Sequence, residues 1–244
     1  MESTKYVVIF ILILTATVAV SLTGLREATK AQSATNEDIF NKRAILTAVQ
    51  DYLPNGQKVA ELSDERVLEL FAEMEQPVVD MEGNILEGVK AESINMAKER
   101  KKQESERRLP AYVYEQDGQK FYILSVRGNG LWDEIWGSVA LKNDLNTIAG
   151  ATFDHKGETP GLGAEIKDNP AFSEQFEGKE IYEEDGDYVS IKVRKGGARD
   201  PDHEVDGISG ATVTADGVSE MLYRGLKYYQ PYLDKVKQQS FLLN

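Results

Sequence analysis

The chain has 244 residues, a formal net charge of −13, no cysteine and two histidines. The acidic balance argues against a nucleic-acid partner, which wants a basic face. Without cysteine there is no disulfide, thiolate nucleophile, iron–sulfur ligation or Cys-based zinc site. His155 and His203 cannot make a His-rich metal site, so redox chemistry would need a borrowed organic cofactor.

Tyr6 to Leu25 carry no charge and are mostly Val, Ile, Leu, Phe and Ala. Twenty residues of helix span about 30 Å, the thickness of a bilayer's hydrocarbon core. Thr15, Thr17, Ser21 and Thr23 are tolerable there because hydroxyls can bond back to the helix backbone. A secretory signal would have a shorter apolar run and an A-x-A-like cleavage site, and none is convincing before Arg26. An uncleaved single-pass anchor over 6–25 is therefore expected. Lys5 precedes the span, and Arg26, Lys30, Lys42 and Arg43 follow it. That count leans toward a cytoplasmic domain, but the rule is weak for long translocated domains, so charge leaves the side open.

Arg26 to Asn36 reads as a helical extension or tether. Asn36-Glu37-Asp38 looks like a helix start, with the helix running to about Tyr52 and Pro54-Asn55-Gly56 ending it. Ser63-Asp64-Glu65 starts another, with Val67, Leu68, Leu70 and Phe71 spaced for one buried face. Glu92 to Arg108 reads as a solvated helix face. From Leu109 the texture becomes β. Ala111–Glu115 and Lys120–Ser125 form a hairpin about Asp117-Gly118, Glu134–Leu141 turns at Asn143-Asp144, and Thr147 to Phe153 returns. Tyr188–Val193 alternates as a further strand. Asn169-Pro170 opens a short helix. A last helix follows Thr212 or Thr214, with Val218, Met221, Leu222, Leu226 and Tyr229 as its buried stripe until Pro231 interrupts it. The expected class is α+β: an antiparallel sheet with helices packed on one side, after one N-terminal transmembrane helix.

Two loops carry the chemistry. Asp206-Gly-Ile-Ser209-Gly210-Ala211-Thr212 is a turn of small residues that opens a helix. Free N–H groups and the positive end of the helix dipole suit a phosphate there. On spacing alone such a turn is usually a plain N-cap. Thr212 puts a hydroxyl where the phosphate would lie, so it could hydrogen-bond to one or be bonded to one. The second loop, Gly157-Glu158-Thr159-Pro160-Gly161-Leu162-Gly163, exposes backbone groups and one large apolar side chain. A flat aromatic ligand could pack on Leu162 and the Pro160 ring. The competing reading is an ordinary surface turn with Leu162 folded onto the core. His155 could touch such a ring or be a structural histidine. Trp132 and Trp136 could stack on it or serve packing. Lys192, Arg194 and Lys195 could neutralise a phosphate or line a solvated strand edge.

The pairing of Glu158-Thr-Pro-Gly-Leu-Gly163 with Asp206-Gly-Ile-Ser-Gly-Ala-Thr212 resembles the covalently flavinylated FMN-binding domain family. With the anchor and Gly130-Leu-Trp-Asp-Glu-Ile-Trp136, the chain is similar, from the anchor to the last helix, to the family of C subunits of sodium-translocating NADH:quinone oxidoreductases. That resemblance implies one covalent FMN per chain, held by a phosphoester to Thr212. Ser209, Gly210, Ala211 and Asp206 would lie around the phosphate, and Glu158, Thr159, Gly161, Leu162 and Gly163 around the ring. It implies no catalytic side chain and no resident metal. It also implies five other subunits in a six-subunit inner-membrane complex, a periplasmic flavin transferase that uses FAD and releases AMP, and a periplasmic soluble domain. The role would be electron relay from an iron–sulfur centre to the flavin of another subunit, with residues 1–5 a short cytoplasmic N-terminus, 26–108 a helical linker and helical part, and 109–244 the FMN-binding domain. The alternatives are the equivalent subunit of the ion-translocating ferredoxin:NAD oxidoreductase, or a membrane-tethered FMN-binding module with no pump partner.

Overall fold

A computed structural model describes residues 2–243; Met1 and Asn244, the two ends of the expected division, lie outside it. The chain divides at Lys42/Arg43 into two units. The first is helical. Helix α1 spans Glu2–Thr47, and among the described residues it alone is long and apolar enough to cross a membrane. Its apolar side chains from Tyr6 to Leu25 are exposed. Thr15 and Thr17 donate their hydroxyls to the carbonyls of Ile11 and Ile13 at 2.7 and 2.8 Å, as expected for hydroxyls in an apolar span. No new helix starts at Asn36. Glu, Ala, Lys and Gln between Arg26 and Asn36 are good helix formers, so the first helix simply continues. Asn36 accepts from Gln32 Nε2 instead of capping.

The second unit begins with single 3-10 turns at Gln50–Tyr52, Pro54–Gly56 and Val59–Glu61. Helix α2 (Asp64–Glu73) is capped by Ser63, whose hydroxyl accepts from the Arg66 N–H at 3.2 Å. Val67, Leu70 and Phe71 are buried at i, i+3 and i+4. Leu68, one position on, turns away and is exposed, which corrects its place in the stripe. Strand β1 (Val78–Val79) follows, then helix α3 (Met96–Glu99). Residues 92–108 do not form the expected solvated helix. Glu99 is buried, paired with Lys102 at 2.7 Å and Arg108 at 3.6 Å, and Arg100 donates to the Gly128 carbonyl. Arg107 donates to the Tyr228 hydroxyl, and this segment walls a cleft of about 310 Å³ against the sheet and the last helix. The charges are spent on tertiary contacts, which composition alone cannot reveal.

Strands β2 (Leu109–Gln116), β3 (Gln119–Asn129), β4 (Glu134–Leu141) and β5 (Ile148–His155) form an antiparallel meander, with β1 on the outer edge of β2. The Asp117-Gly118 turn has φ of 53° and 76°, the left-handed pair that suits a tight hairpin. Helices α4 (Glu165–Asp168) and α5 (Pro170–Glu174) follow, α5 capped by Asn169. Strands β6 (Lys192–Arg194) and β7 (Glu204–Asp206) pair in parallel. The expected strand from Tyr188 is therefore shorter, because Ser190 at φ 61° breaks the extended run.

Helix α6 (Thr212–Leu243) covers one face of the sheet. Val218, Met221, Leu222, Leu226 and Tyr229 join Leu109, Ala111, Leu124, Val126 and Val139 in the core. The Tyr229 hydroxyl donates to the Pro110 and Ser125 carbonyls at 2.7 and 3.0 Å. Gly128 and Gly225 let helix and strand approach, since a Cβ on either would stand 2.6 Å from Met221 or Val126. Pro231 does not end α6. Burial of Tyr232 and Leu233 and the Lys235 bond to the Glu82 carbonyl offset the roughly 3 kcal/mol that an interior proline costs. The other sheet face is covered too, which corrects the one-sided expectation. Tyr52 stacks near Phe121 at 4.3 Å, Phe71 near Tyr112 at 5.3 Å, and Thr152 donates to the Ala44 carbonyl.

Candidate functional site

Three segments meet where α6 begins: the β3–β4 turn at Gly130–Asp133, the loop after β5 at His155–Gly163, and the turn Asp206–Ala211. Glu158 joins them. Its side chain is buried, with the residue only 5% exposed. Oε1 accepts the Trp132 backbone N–H at 2.9 Å, and Oε2 accepts the Thr214 hydroxyl at 2.6 Å. Its own N–H donates to His155 Nδ1 at 3.1 Å. Two glycines make room for this carboxylate. A Cβ on Gly130 would stand 2.5 Å from Oε1, and one on Gly163 would collide with Oε2 and lie 2.6 Å from Thr214 Oγ1. Both oxygens are thus engaged within the protein. His155 thereby braces the start of this loop.

Thr159 and Trp132 meet at the rim, where the indole N–H donates to Thr159 Oγ1 at 3.1 Å. Trp132 is 68% exposed, so it is not a core residue, whereas Trp136 lies under the Arg127 guanidinium at 4.7 Å. The Thr159 carbonyl accepts the N–H groups of Leu162 and Ala164, folding the loop back at Gly161, whose φ is +74°. Leu162 does not fold onto the core: it is 41% exposed, and Leu131 and Val213 are exposed with it. Lys156 pairs with Asp133 at 2.9 Å, and its ammonium holds the Asp133 carboxyl below the usual range.

On the other side, Asp206 Oδ1 accepts the Ala198 N–H at 2.7 Å, and its own N–H donates to Gln175. Asp206 therefore braces the 195–199 loop. The turn closes with Ala211 N–H on the Ile208 carbonyl, Ala211 buried, and Ser209 and Gly210 exposed. Thr212 is the first residue of α6 and is half-buried. The first N–H groups of a helix have no partner within it, so this end favours an anion. Thr214, in contrast, is buried at 1% exposure. Arg194 pairs through Nε with Glu204 at 2.6 Å, and Lys192 and Lys195 are exposed on the β6 side. Glu183, Asp200 and His203 bring potential ligand atoms within 4.8 Å of one another.

The structure thus brings both sequence motifs into one place, through Glu158–Thr214 and Gly210–Leu162. The role of Thr214 was missed. A signal for it existed: Thr214 stands four residues before Val218 and seven before Met221, in register with the buried stripe. The arrangement keeps the hydroxyl–carboxylate pair Thr214–Glu158 buried. It offers a half-exposed hydroxyl at a helix start beside an exposed apolar rim. These features fit a phosphate-bearing flat cofactor.

An antiparallel α+β domain with such a loop pair belongs to the class of FMN-binding domains, and residues 130–227 match the FMN-binding domain family. The match begins at the glycine that packs on Glu158. The C subunit of the Na(+)-translocating NADH-quinone reductase of Vibrio alginolyticus is 36% identical over 241 residues, covering 90% of this chain and 88% of that one. The corresponding Pseudomonas aeruginosa protein is 34% identical over 245 residues, covering 91% of each. The crystal structure of the Parabacteroides distasonis C subunit superposes with a TM-score of 0.72 at 35% identity, over 84% of this chain and 96% of that one. The chain belongs to the family of C subunits of Na(+)-translocating NADH-quinone reductases.

Proposed function

We propose that this chain is the FMN-carrying electron-transfer subunit of a sodium-translocating NADH:quinone oxidoreductase, with one FMN joined to Thr212 by a phosphoester. The names of its relatives and the FMN-binding domain match support the assembly and the cofactor. The observation that carries the attachment point is the contrast between two threonines. Thr212 is half-buried at the first residue of α6, while the Thr214 hydroxyl is buried and bound to Glu158.

FMN supplies reversible electron uptake when bound; the chain's residues hold and orient it. The start of α6 would stabilise the phosphodiester charge by about 0.3–1 kcal/mol. Gly210, in the left-handed region, and Ser209 would bring backbone and hydroxyl groups to the phosphate. Leu162 and the Thr159–Trp132 pair would flank the ring. Glu158 and Asp206 act here through the loops that they brace. The covalent bond removes dissociation in a dilute compartment. The soluble unit would face outward, where a flavin transferase can reach Thr212, and the other subunits would supply the electron donor and acceptor. The division at 26–108 and 109–244 is kept as a functional one, with the second part carrying the flavin.

Co-expression with a flavin transferase tests this reading. The chain should fluoresce under ultraviolet light after denaturing electrophoresis, and Thr212→Ala should be dark. A bright Thr212→Ala band would place the flavin elsewhere.

A further inference from the structure

We propose that Glu158 is a positioning residue that selects which threonine receives the flavin. The inference rests on the reading that a transferase esterifies Thr212. The start of α6 offers two threonine hydroxyls two positions apart, at 212 and 214. Both lie in the first turn, where the helix dipole and the unpaired N–H groups favour an incoming phosphate equally. The dipole therefore does not separate them. Burial and hydrogen bonding do.

The Thr214 hydroxyl donates at 2.6 Å to Glu158 Oε2, and the residue is 1% exposed. The acceptor is fixed on every side. Its second oxygen holds the Trp132 N–H, its own N–H is held by His155, and Gly130 and Gly163 pack against the carboxylate with no room for a Cβ. A buried hydroxyl tethered inward in this way has no open path to phosphorus. Thr212, two residues earlier, turns about 200° away around the helix and remains half-exposed. The carboxylate thus holds one of the two hydroxyls inward, out of reach of the reaction.

The transfer balances without a further reagent. The threonine oxygen forms a bond to the FMN-side phosphorus of FAD. The pyrophosphate P–O bond breaks, AMP leaves with that electron pair, and the hydroxyl proton passes to a base of the transferase. The proposal adds only that the oxygen must be accessible, and Glu158 tethers the other hydroxyl inside. Loss of a hydrogen bond to a carboxylate should raise the population of free Thr214 hydroxyl by about 10- to 100-fold.

The experiment uses the full chain, a flavin transferase and FAD, with peptide mass spectrometry to locate the flavin. Thr212→Ala alone should be dark. The double variant Thr212→Ala with Glu158→Ala should regain a fluorescent band, mapped to Thr214. Glu158→Ala alone should divide its flavin between Thr212 and Thr214. A purely structural Glu158 could lower loading but could not create flavin at Thr214. If Thr212→Ala alone is bright at Thr214, the Thr212 reading falls and this proposal falls with it. If the single and double variants are both dark while Glu158→Ala still loads Thr212, only the selection by Glu158 is overturned. If Glu158→Ala does not load at all, Glu158→Gln carries the test. The amide keeps the volume and accepts at one oxygen only, so flavin at Thr214 in the Thr212→Ala background supports the proposal and its absence overturns it. Failure of both Glu158 variants to load Thr212 also counts against it, because Glu158 would then govern the fold and not the choice.

Discussion

A Cβ placed on Gly210 would stand 2.6 Å from Leu162 Cδ2, so the backbone of one loop is pressed against the apolar side chain of the other. Gly210 also has φ +77°, where an L side chain costs about 1–2 kcal/mol. Gly210→Ala should therefore push Leu162 aside and twist the entry to α6. The expected result is flavin loading slowed several-fold, read from the fluorescent band against time, with a modest fall in melting temperature. Loading at the wild-type rate would mean that the two loops need not touch for the flavin to be placed.

Leu162→Ala should leave the flavin attached, because the ester at Thr212 does not depend on it. It should change the absorption spectrum or the reduction potential, since an apolar neighbour of the ring is lost. Stability should change by under about 1 kcal/mol, because the side chain is 41% exposed. Urea melts and a redox titration check both halves. An unaltered flavin with a large loss of stability would make Leu162 a core residue.

Acid should unfold the soluble unit through its paired carboxyls. The Arg127 guanidinium holds the Glu134 carboxyl below its ordinary value of 4.5. At Glu99 burial pushes the carboxyl up, but the bonds from Lys102 and the Arg108 N–H outweigh it and leave the net shift downward. Depressed folded-state values mean stability that is full above about pH 4.5 and lost as pH falls through the lower folded values. Glu134→Gln should flatten that dependence in melts taken from about pH 6 down to about pH 3, a range that brackets the ordinary carboxyl. An equally steep acid limb in the variant would assign it to other groups.

An alkaline phosphatase fused to the C-terminus should be active if the soluble unit is exported. The basic residues after the span lean the other way, so the outcome is not dictated by charge. A silent phosphatase together with an active cytoplasmic reporter would reverse the topology and remove the chain from an external transferase.

The elements that sequence made legible are those in which one local cause dominates. The Asp117-Gly118 turn, the Ser63 and Asn169 caps, the uncharged span and the α6 stripe each follow from a few adjacent residues. The misread elements depend on distant partners. Residues 92–108 look solvated until Glu99, Arg100 and Arg107 find Arg108, Gly128 and Tyr228. Pro231 looks like a stop until Tyr232 and Leu233 are seen to be buried beyond it. The site divides in the same way. Both loops stand out by composition, but their union depends on a 2.6 Å bond between residues 158 and 214, and no local pattern spans that separation.

Helix α6 comes after the whole sheet in the chain. It supplies the stripe that closes the core and, if Thr212 is the attachment point, the hydroxyl that takes the flavin. A polypeptide interrupted before Tyr229 would lack the anchor to Pro110 and Ser125 and would have no firm helix start at Thr212. Such fragments would be poor acceptors. Flavin fluorescence in this protein would then be a stamp of completed synthesis: only a chain that has finished folding would carry the colour.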